Sequence, residues 1–574
     1  MTRNGRTFAT AALLVTPALV VISASCGGDQ NGESTFDAGR SGEAATLPEA
    51  GGDGPCIFCS VDSADGHALY ADFPTAPVLD APDGGITDGS APDGGGAAPP
   101  NAPQLFGGPS QGAQTGGPCL IEPEVGSLYP KNWLRPRFRW IAANGENLFE
   151  LRLHVANQVN DLVVYTTAAS WTMPKPMWDL LSTDSNDVPM TVSIRGGVFD
   201  GTNLNGAALG SNGSIGVAPV DAPGTIVYWS ILRGPWTALL KGFAVGDETV
   251  ANVLTPAQVT EYSTGCIGCH NSTPDGKFVS FSSQNGWQNG LADVEPNQTG
   301  TLPPWLGAAG RAAVETAQMG IHTFSKSHWA SGDRIEISAH DPNDNGKSEL
   351  VWIDLEAQSG NAMGTLARTN DARHAGAPSW SHDGTTIAYV STDANKDGRL
   401  DDGEADIYLV PYANKAGGSA TPLPGASDPG PREYYPAFSP DDRFLAYNKA
   451  AAGNMYDNSM AELYVIPGAG GSSTRLLAND PPACTGKTSP GVTNSWAKWA
   501  PDARTTRDGR TFYWAVFSSK RSPAGNPQLY VTPIVVDSVG TVTTYHALYL
   551  WNQPADEDNH TPAWDYFMIP PLVH

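Results

Sequence analysis

Ser272 to Ser280 (S-T-P-D-G-K-F-V-S), Trp380 to Tyr389 (W-S-H-D-G-T-T-I-A-Y) and Phe438 to Tyr447 (F-S-P-D-D-R-F-L-A-Y) are versions of one pattern, and this repetition constrains the fold more than any other feature of the chain. Each copy is the end of one strand, a turn built on Pro, Asp and Gly, and a second strand with alternating apolar residues. Looser copies run from Trp329 to Ser338 and from Trp499 through Asp502, and His560 to Trp564 begins one more. Most units add a later strand, at Leu350 to Leu355, Ile407 to Tyr412, Leu463 to Pro467 and Leu529 to Ile534. A unit of this size cannot bury its apolar face alone, so the copies must stack, and a radial stack of small antiparallel sheets is a propeller. Roughly 340 residues at about 45 per unit give about six to eight blades, with six favoured. A ring loses its open edges only when first and last blades join, so His560 to Trp564 is expected to pair with Thr225 to Ser230 or Leu239 to Val245.

The P-D-G turn between alternating strands resembles the WD40-like (PD40) repeat of the TolB family, which implies a TolB-like β-propeller over residues 224–574. Residues 119–223 read differently. Phe138 and Trp140 alternate, as do Phe149, Leu151, Leu153 and Val155, then Val163 and Tyr165, then Met190, Val192 and Ile194, the pattern of half-buried strands. The start of this region, with Tyr129, Pro130, Pro136 and Trp140, resembles a fibronectin type III or immunoglobulin-like sandwich. The expected fold class is therefore all-β, a β-sandwich followed by a propeller of about six blades.

Residues 1–26 read as an export signal: Arg3 and Arg6 precede an apolar run from Phe8 to Ile22, and Ser23, Ala24 and Ser25 lead into Cys26. Cys26 followed by Gly27 and Gly28 resembles a bacterial lipoprotein processing site. That resemblance implies lipidation at Cys26 and a cell-envelope location, outer-membrane or periplasmic, with membrane contact only through the anchor. Ser23 stands where that family prefers an aliphatic residue, so cleavage before an unlipidated cysteine is the alternative. Residues 27–118 are rich in Gly, Ala, Asp and Pro and bury too little apolar surface to offset ordering entropy, so they read as a disordered tether. Within it Cys56 and Cys59 form a C-x-x-C followed by Ser60, which lacks the histidine a haem would need.

Cys266, Ile267, Gly268, Cys269 and His270 spell C-x-x-C-H, the attachment string of haem c. Two thiols at this spacing can add to the two vinyl groups of one porphyrin while the adjacent imidazole reaches the iron. The alternative is a local Cys266–Cys269 disulfide, or a thiol pair that happens to precede a histidine. Export is the condition under which either is chemically permitted. Counted back from the shared turn, His270 falls where Pro378 and Pro436 stand in other repeats, near the mouth of the channel in TolB-like propellers. The pairing of C-x-x-C-H with a propeller resembles that in some multihaem enzymes. Candidate sixth ligands are His374, His560, His322, His328 and Met319, with His374 and His560 expected to approach the mouth; a vacant sixth position is the alternative.

Asp393, Asn395, Asp397, Gly398, Arg399, Asp401 and Glu404 match positions 1, 3, 5, 6, 7, 9 and 12 of a calcium loop. Alternating oxygen donors, a reversing glycine and a final bidentate glutamate wrap one hard cation; the competing reading is an acidic hairpin turn. Acidic residues number 59 against 33 basic, a net charge of -26, which excludes nucleic acid or an anionic membrane surface as partner and favours a soluble or cationic one. No catalytic constellation stands out. Two functions follow: an exported haem protein acting in electron transfer or redox sensing, or a haem-free TolB-like propeller serving as a protein- or ligand-binding scaffold in the envelope. The redox partner is not legible.

Overall fold

The structure, a computed structural model, describes residues 72–79, 97–234, 236–283, 288–317, 321–343, 346–393 and 403–569. The chain is all-β, a sandwich followed by a propeller. In the sandwich, one sheet orders the strands Val78–Leu79, Leu162–Thr166, Leu148–Val155, Met190–Phe199, Leu204–Val217 and Leu128–Tyr129. The facing sheet holds Cys119–Glu122, Arg137–Ile141 and Ser170–Thr172. The alternation seen in the sequence places Phe138 and Trp140 of one sheet against Phe149 and Leu151 of the other, with the Trp140 and Phe149 rings 5.4 Å apart.

The tether expected over 27–118 is shorter than its composition suggests. Val78 and Leu79 pair in parallel with Val164 and Tyr165. Phe73 is buried, and the short helix Ala102–Phe106 packs Phe106 onto Tyr165. Arg195, paired with Glu150 at 2.5 Å, donates to the Gly108 and Gln111 carbonyls and so pins the segment after this helix. Two buried aromatic rings and one buried guanidinium outweigh the ordering entropy that the Gly- and Pro-rich composition implies.

Six small sheets form the propeller among the described residues. The innermost strands of blades one, three, four and five are Ile267–Ser272, His374–Trp380, Arg432–Phe438 and Ser495–Trp499. In blade two Thr323 occupies this place by bridging Ile337 of Ile335–His340. The repeated turn has one physical cause. Thr273, Ser381 and Ser439 each accept the N–H five residues on (3.2, 3.0 and 3.0 Å) and donate to the aspartate two residues on (2.6, 2.6 and 2.8 Å). The next residue but one after the proline or histidine takes a left-handed φ, +70° at Gly276, +82° at Gly384 and +60° at Asp442, which is why Gly or Asp stands there.

Blade six closes the ring as the sequence predicts. Its innermost strand Asp558–Asp565 pairs antiparallel with Thr225–Arg233, setting Trp564 opposite Ile226 and His560 opposite Trp229, and Trp236–Ala244 and Ala251–Leu254 continue the sheet. Glu557 accepts from Lys241 Nζ at 2.6 Å and from Ser230 Oγ at 2.6 Å, tying the same two chain regions again. The sandwich is fixed on this closing side. Trp551 Nε1 donates to the Arg135 carbonyl at 3.0 Å, Trp564 Nε1 to the Pro223 carbonyl at 2.7 Å, and the Trp133 and Trp564 rings lie 6.3 Å apart in one continuous core. Cys119 and Cys484 form a disulfide between the two parts.

Candidate functional site

The ladder between first and second strands is interrupted at one place in the innermost strand of several blades. Register shifts fall between Gly268 and Asn271, Gly376 and Ser379, Tyr434 and Ala437, and Ser495 and Lys498. At each shift a residue with positive φ appears: Cys269 (27°), Ala377 (42°), Tyr435 (54°) and Trp496 (61°), with Thr561 (45°) in blade six. For residues other than glycine this conformation costs roughly 1–2 kcal/mol each, so a bulge repeated around the ring marks where the propeller spends stability on aiming side chains. Ile321, Ala377, Tyr435 and Trp496 come from four blades yet pack in one cluster, and Tyr435 stacks on Trp496 with centroids 4.0 Å apart. This layer converges on the axis, and Cys269 stands in it.

The C-x-x-C-H string therefore lies on an innermost strand at a bulge. Thr264 Oγ1 donates to the Cys266 carbonyl at 2.7 Å and accepts its N–H at 3.2 Å, fixing the start of the motif. Cys266 is buried and disulfide-bonded, but the local Cys266–Cys269 bridge that the motif's alternative reading implies is not formed; Cys269 is half-buried. His270 is buried with Nε2 3.2 Å from the Val227 carbonyl of blade six, and its Nδ1 has no hydrogen-bond partner among the described residues. Burial pushes the His270 imidazole down to about 4, so it is neutral at pH 7. A neutral imidazole with one nitrogen on a backbone carbonyl and the other unfilled is the arrangement of a metal-ligating histidine, and a half-turn of the ring exchanges the two nitrogens. Nearby polar atoms are also unfilled: Trp229 Nε1, Thr561 Oγ1 and His322 Nε2 are buried without partners among the described residues. Of these residues, His270 could hold a haem through its unfilled nitrogen and Cys269 through its sulfur, and Cys266 could join them only once its disulfide is opened.

The candidate sixth ligands separate by their contacts. His328 is committed at both nitrogens, to Asp333 at 2.7 Å and to the Gly384 carbonyl at 3.3 Å, and its ring packs on Trp380 and Tyr412. His374 accepts the Ser348 N–H through Nδ1 at 3.2 Å. Both nitrogens of His328 are thereby taken, whereas His374 is engaged at Nδ1. His322 stands in blade two where His270 stands in blade one; its Nδ1 meets Glu336 at 2.7 Å, leaving Nε2 unfilled. His560 is buried against Trp229, ring centroids 4.4 Å apart, and burial together with the nearby Lys520 and His270 pushes it down to about 3. Met319 lies outside the described residues, as do Cys26, Cys56 and Cys59. So do Asn395, Asp397, Arg399 and Asp401 of the calcium string, whose ends Asp393 and Glu404 face each other, the Glu404 N–H donating to Asp393 Oδ1 at 2.6 Å. Trp229 and Thr561 carry no motif and were reachable only through the pairing of blade six.

Comparison of the sequence with family models and with curated proteins gives no match. Solved structures similar in fold include hydrazine synthase of Kuenenia stuttgartiensis, 11% identical over 59% of this chain and 74% of that one, TM-score 0.26. The Cps50 (Swd1) β-propeller domain of Myceliophteria thermophila is 10% identical over 62% and 82%, TM-score 0.28. Dihydro-heme d1 dehydrogenase NirN in complex with DHE is 12% identical over 78% and 82%, TM-score 0.25. At this level the similarity concerns the propeller alone.

Proposed function

We propose that this protein is an exported, lipid-anchored c-type haem protein on a propeller scaffold, acting in electron transfer or redox sensing. The observation that carries the reading is His270: a buried, neutral imidazole, adjacent to Cys269 in a C-x-x-C-H string, with one ring nitrogen held by a carbonyl and the other unfilled. When bound, a c-type haem supplies a one-electron iron couple. The chain's own part is to hold the imidazole neutral by burial, orient it through Val227, and keep the site beside a dry aromatic layer. His560 or His322 could supply a second imidazole to such a haem. The net charge of -26 selects a cationic partner and makes its association fall with salt. The calcium loop ending at Glu404 is proposed to brace blade three.

A second reading is favoured by one observation, the disulfide at Cys266. In that state the motif is a cross-link and the propeller a binding scaffold. Protein matured in a host with cytochrome assembly machinery decides between them. One covalent haem, lost on Cys269→Ala and spectrally altered by His270→Ala, supports the first; the mass of the bare polypeptide establishes the second.

A further inference from the structure

Asn271, Thr323, Ser379, Ala437, Lys498 and Ala563 hold the same register position in six blades, opposite Ser280, Ile337, Ala388, Ala446, Val516 and Val227. They form the layer next to the Tyr435–Trp496 stack, and all but Ala563 line a cavity of about 120 Å³ at the channel axis. The polar atoms of this layer are unusually one-sided. Thr323 Oγ1 accepts the Trp380 N–H at 3.0 Å and Ser379 Oγ accepts the Phe438 N–H at 3.2 Å, so each hydroxyl keeps its own proton to give. Asn271 Nδ2 donates to the His322 carbonyl at 3.0 Å and retains a second N–H. Lys498, half-buried on the cavity wall, makes no ion pair or hydrogen bond among the described residues, and desolvation pushes its ammonium down to about 8.

The other charged groups on the wall are already engaged. Lys326 lies 3.8 Å from Asp502, and His382 meets Asp442 at 2.8 Å. The one carboxylate on the wall, Asp565, accepts from Ser272 Oγ at 2.5 Å and from the Tyr566 N–H at 2.8 Å. A chain carrying 59 acidic residues against 33 basic thus keeps one lysine at its axis away from every one of the described carboxylates. A partly desolvated cation set among hydrogen-bond donors favours an anion, which gains charge-assisted hydrogen bonds there. We infer that the cavity is a binding site for a small carboxylate, with Lys498 Nζ and the Thr323 and Ser379 hydroxyls as its donors. At about 30 Å³ per water, the volume holds about four waters or a carboxylate of a few heavy atoms. The site adjoins the C-x-x-C-H motif, Asn271 following His270 directly, but its proposed donors are not residues of the motif.

Titration calorimetry and thermal melting of the full chain with sodium acetate, against sodium chloride at equal ionic strength, test the inference. Saturable acetate binding is expected in the wild type, with about tenfold to hundredfold weaker binding in Lys498→Met and near wild-type binding in Lys498→Arg. Lys498→Met should melt no lower than the wild type in chloride alone, because Lys498 makes no ion pair or hydrogen bond among the described residues; this shows that the variant is folded. A dipeptide with a free C-terminus that competes with acetate assigns the site to chain ends, and one that does not compete assigns it to free small acids. No saturable acetate binding in the wild type, or equal binding in Lys498→Met, overturns the inference.

Discussion

Replacing Trp564 by alanine tests the closure of the ring at the residue where three parts of the molecule meet. Trp564 is buried in the innermost strand of blade six, opposite Ile226, against Trp133 of the sandwich, with its indole N–H on the Pro223 carbonyl at 2.7 Å. Removing a buried indole costs about 3–5 kcal/mol. The Pro223 carbonyl, left without its donor, adds about 1–3 kcal/mol. The total, about 4–8 kcal/mol, is comparable with the whole net stability of many domains, roughly 5–15 kcal/mol. Trp564→Phe keeps most of the apolar area and loses the donor, so it should cost a minority of that. Urea denaturation followed by circular dichroism gives both midpoints and slopes. Hydrogen exchange at the Thr225–Arg233 amides then locates the loss, since these should become the first protected amides to open. A Trp564→Ala cost below about 1 kcal/mol, or no change in exchange along Thr225–Arg233, would refute the closure argument.

The buried carboxyl of Glu433 lies 2.9 Å from Lys449, and burial outweighs that ion pair to push it up to about 7. The folded state therefore holds a proton that the unfolded chain releases near 4.5, so stability from this group is complete below pH 4.5 and is lost as pH rises through 7, by about 3 kcal/mol. Glu433→Gln should flatten the rise in urea midpoint from pH 8 to pH 5, and a variant less stable than wild type at pH 8 would show that the ion pair dominates. Chelation should lower the melting temperature through the loop ending at Glu404, by the equivalent of about 2.7 kcal/mol at a hundredfold excess of calcium over its dissociation constant. Glu404→Ala should abolish that response, and identical melting curves with chelator and with millimolar calcium would leave the loop an acidic turn.

The propeller was legible because its repeat is local: Ser381, Asp383 and Gly384 build the turn from groups within five residues of one another, and the same chemistry recurs at Ser439 to Asp442. Closure followed from the need to remove edges. What sequence spacing could not show is tertiary. His328 reads as a ligand candidate until Asp333 and the Gly384 carbonyl are seen to take both its nitrogens. Phe73 and Phe106 sit singly among small residues, so no periodicity flags them, and only the sandwich edge and Arg195 reveal why residues 97–118 are ordered. Lys498, between Ala497 and Trp499, reads as one more surface lysine until the register places it at the axis on the same cavity wall as Thr323 and Ser379.

Joining Thr225–Arg233 to Asp558–Asp565 also fixes the order in which the molecule can assemble. Ser230 and Asn559 hydrogen-bond across 329 positions of sequence, so blade six is the last to exist although one of its strands is among the first to be made. Until residues 558–565 are delivered, Thr225–Arg233 pairs on one side only and offers its other edge to any passing strand. Such long-range pairing is slow, because the entropy of closing the loop precedes its reward. The interval between the two strands is therefore the vulnerable period of biosynthesis, when a chaperone that covers a strand edge would matter most and when interrupted chains are most prone to pair with one another.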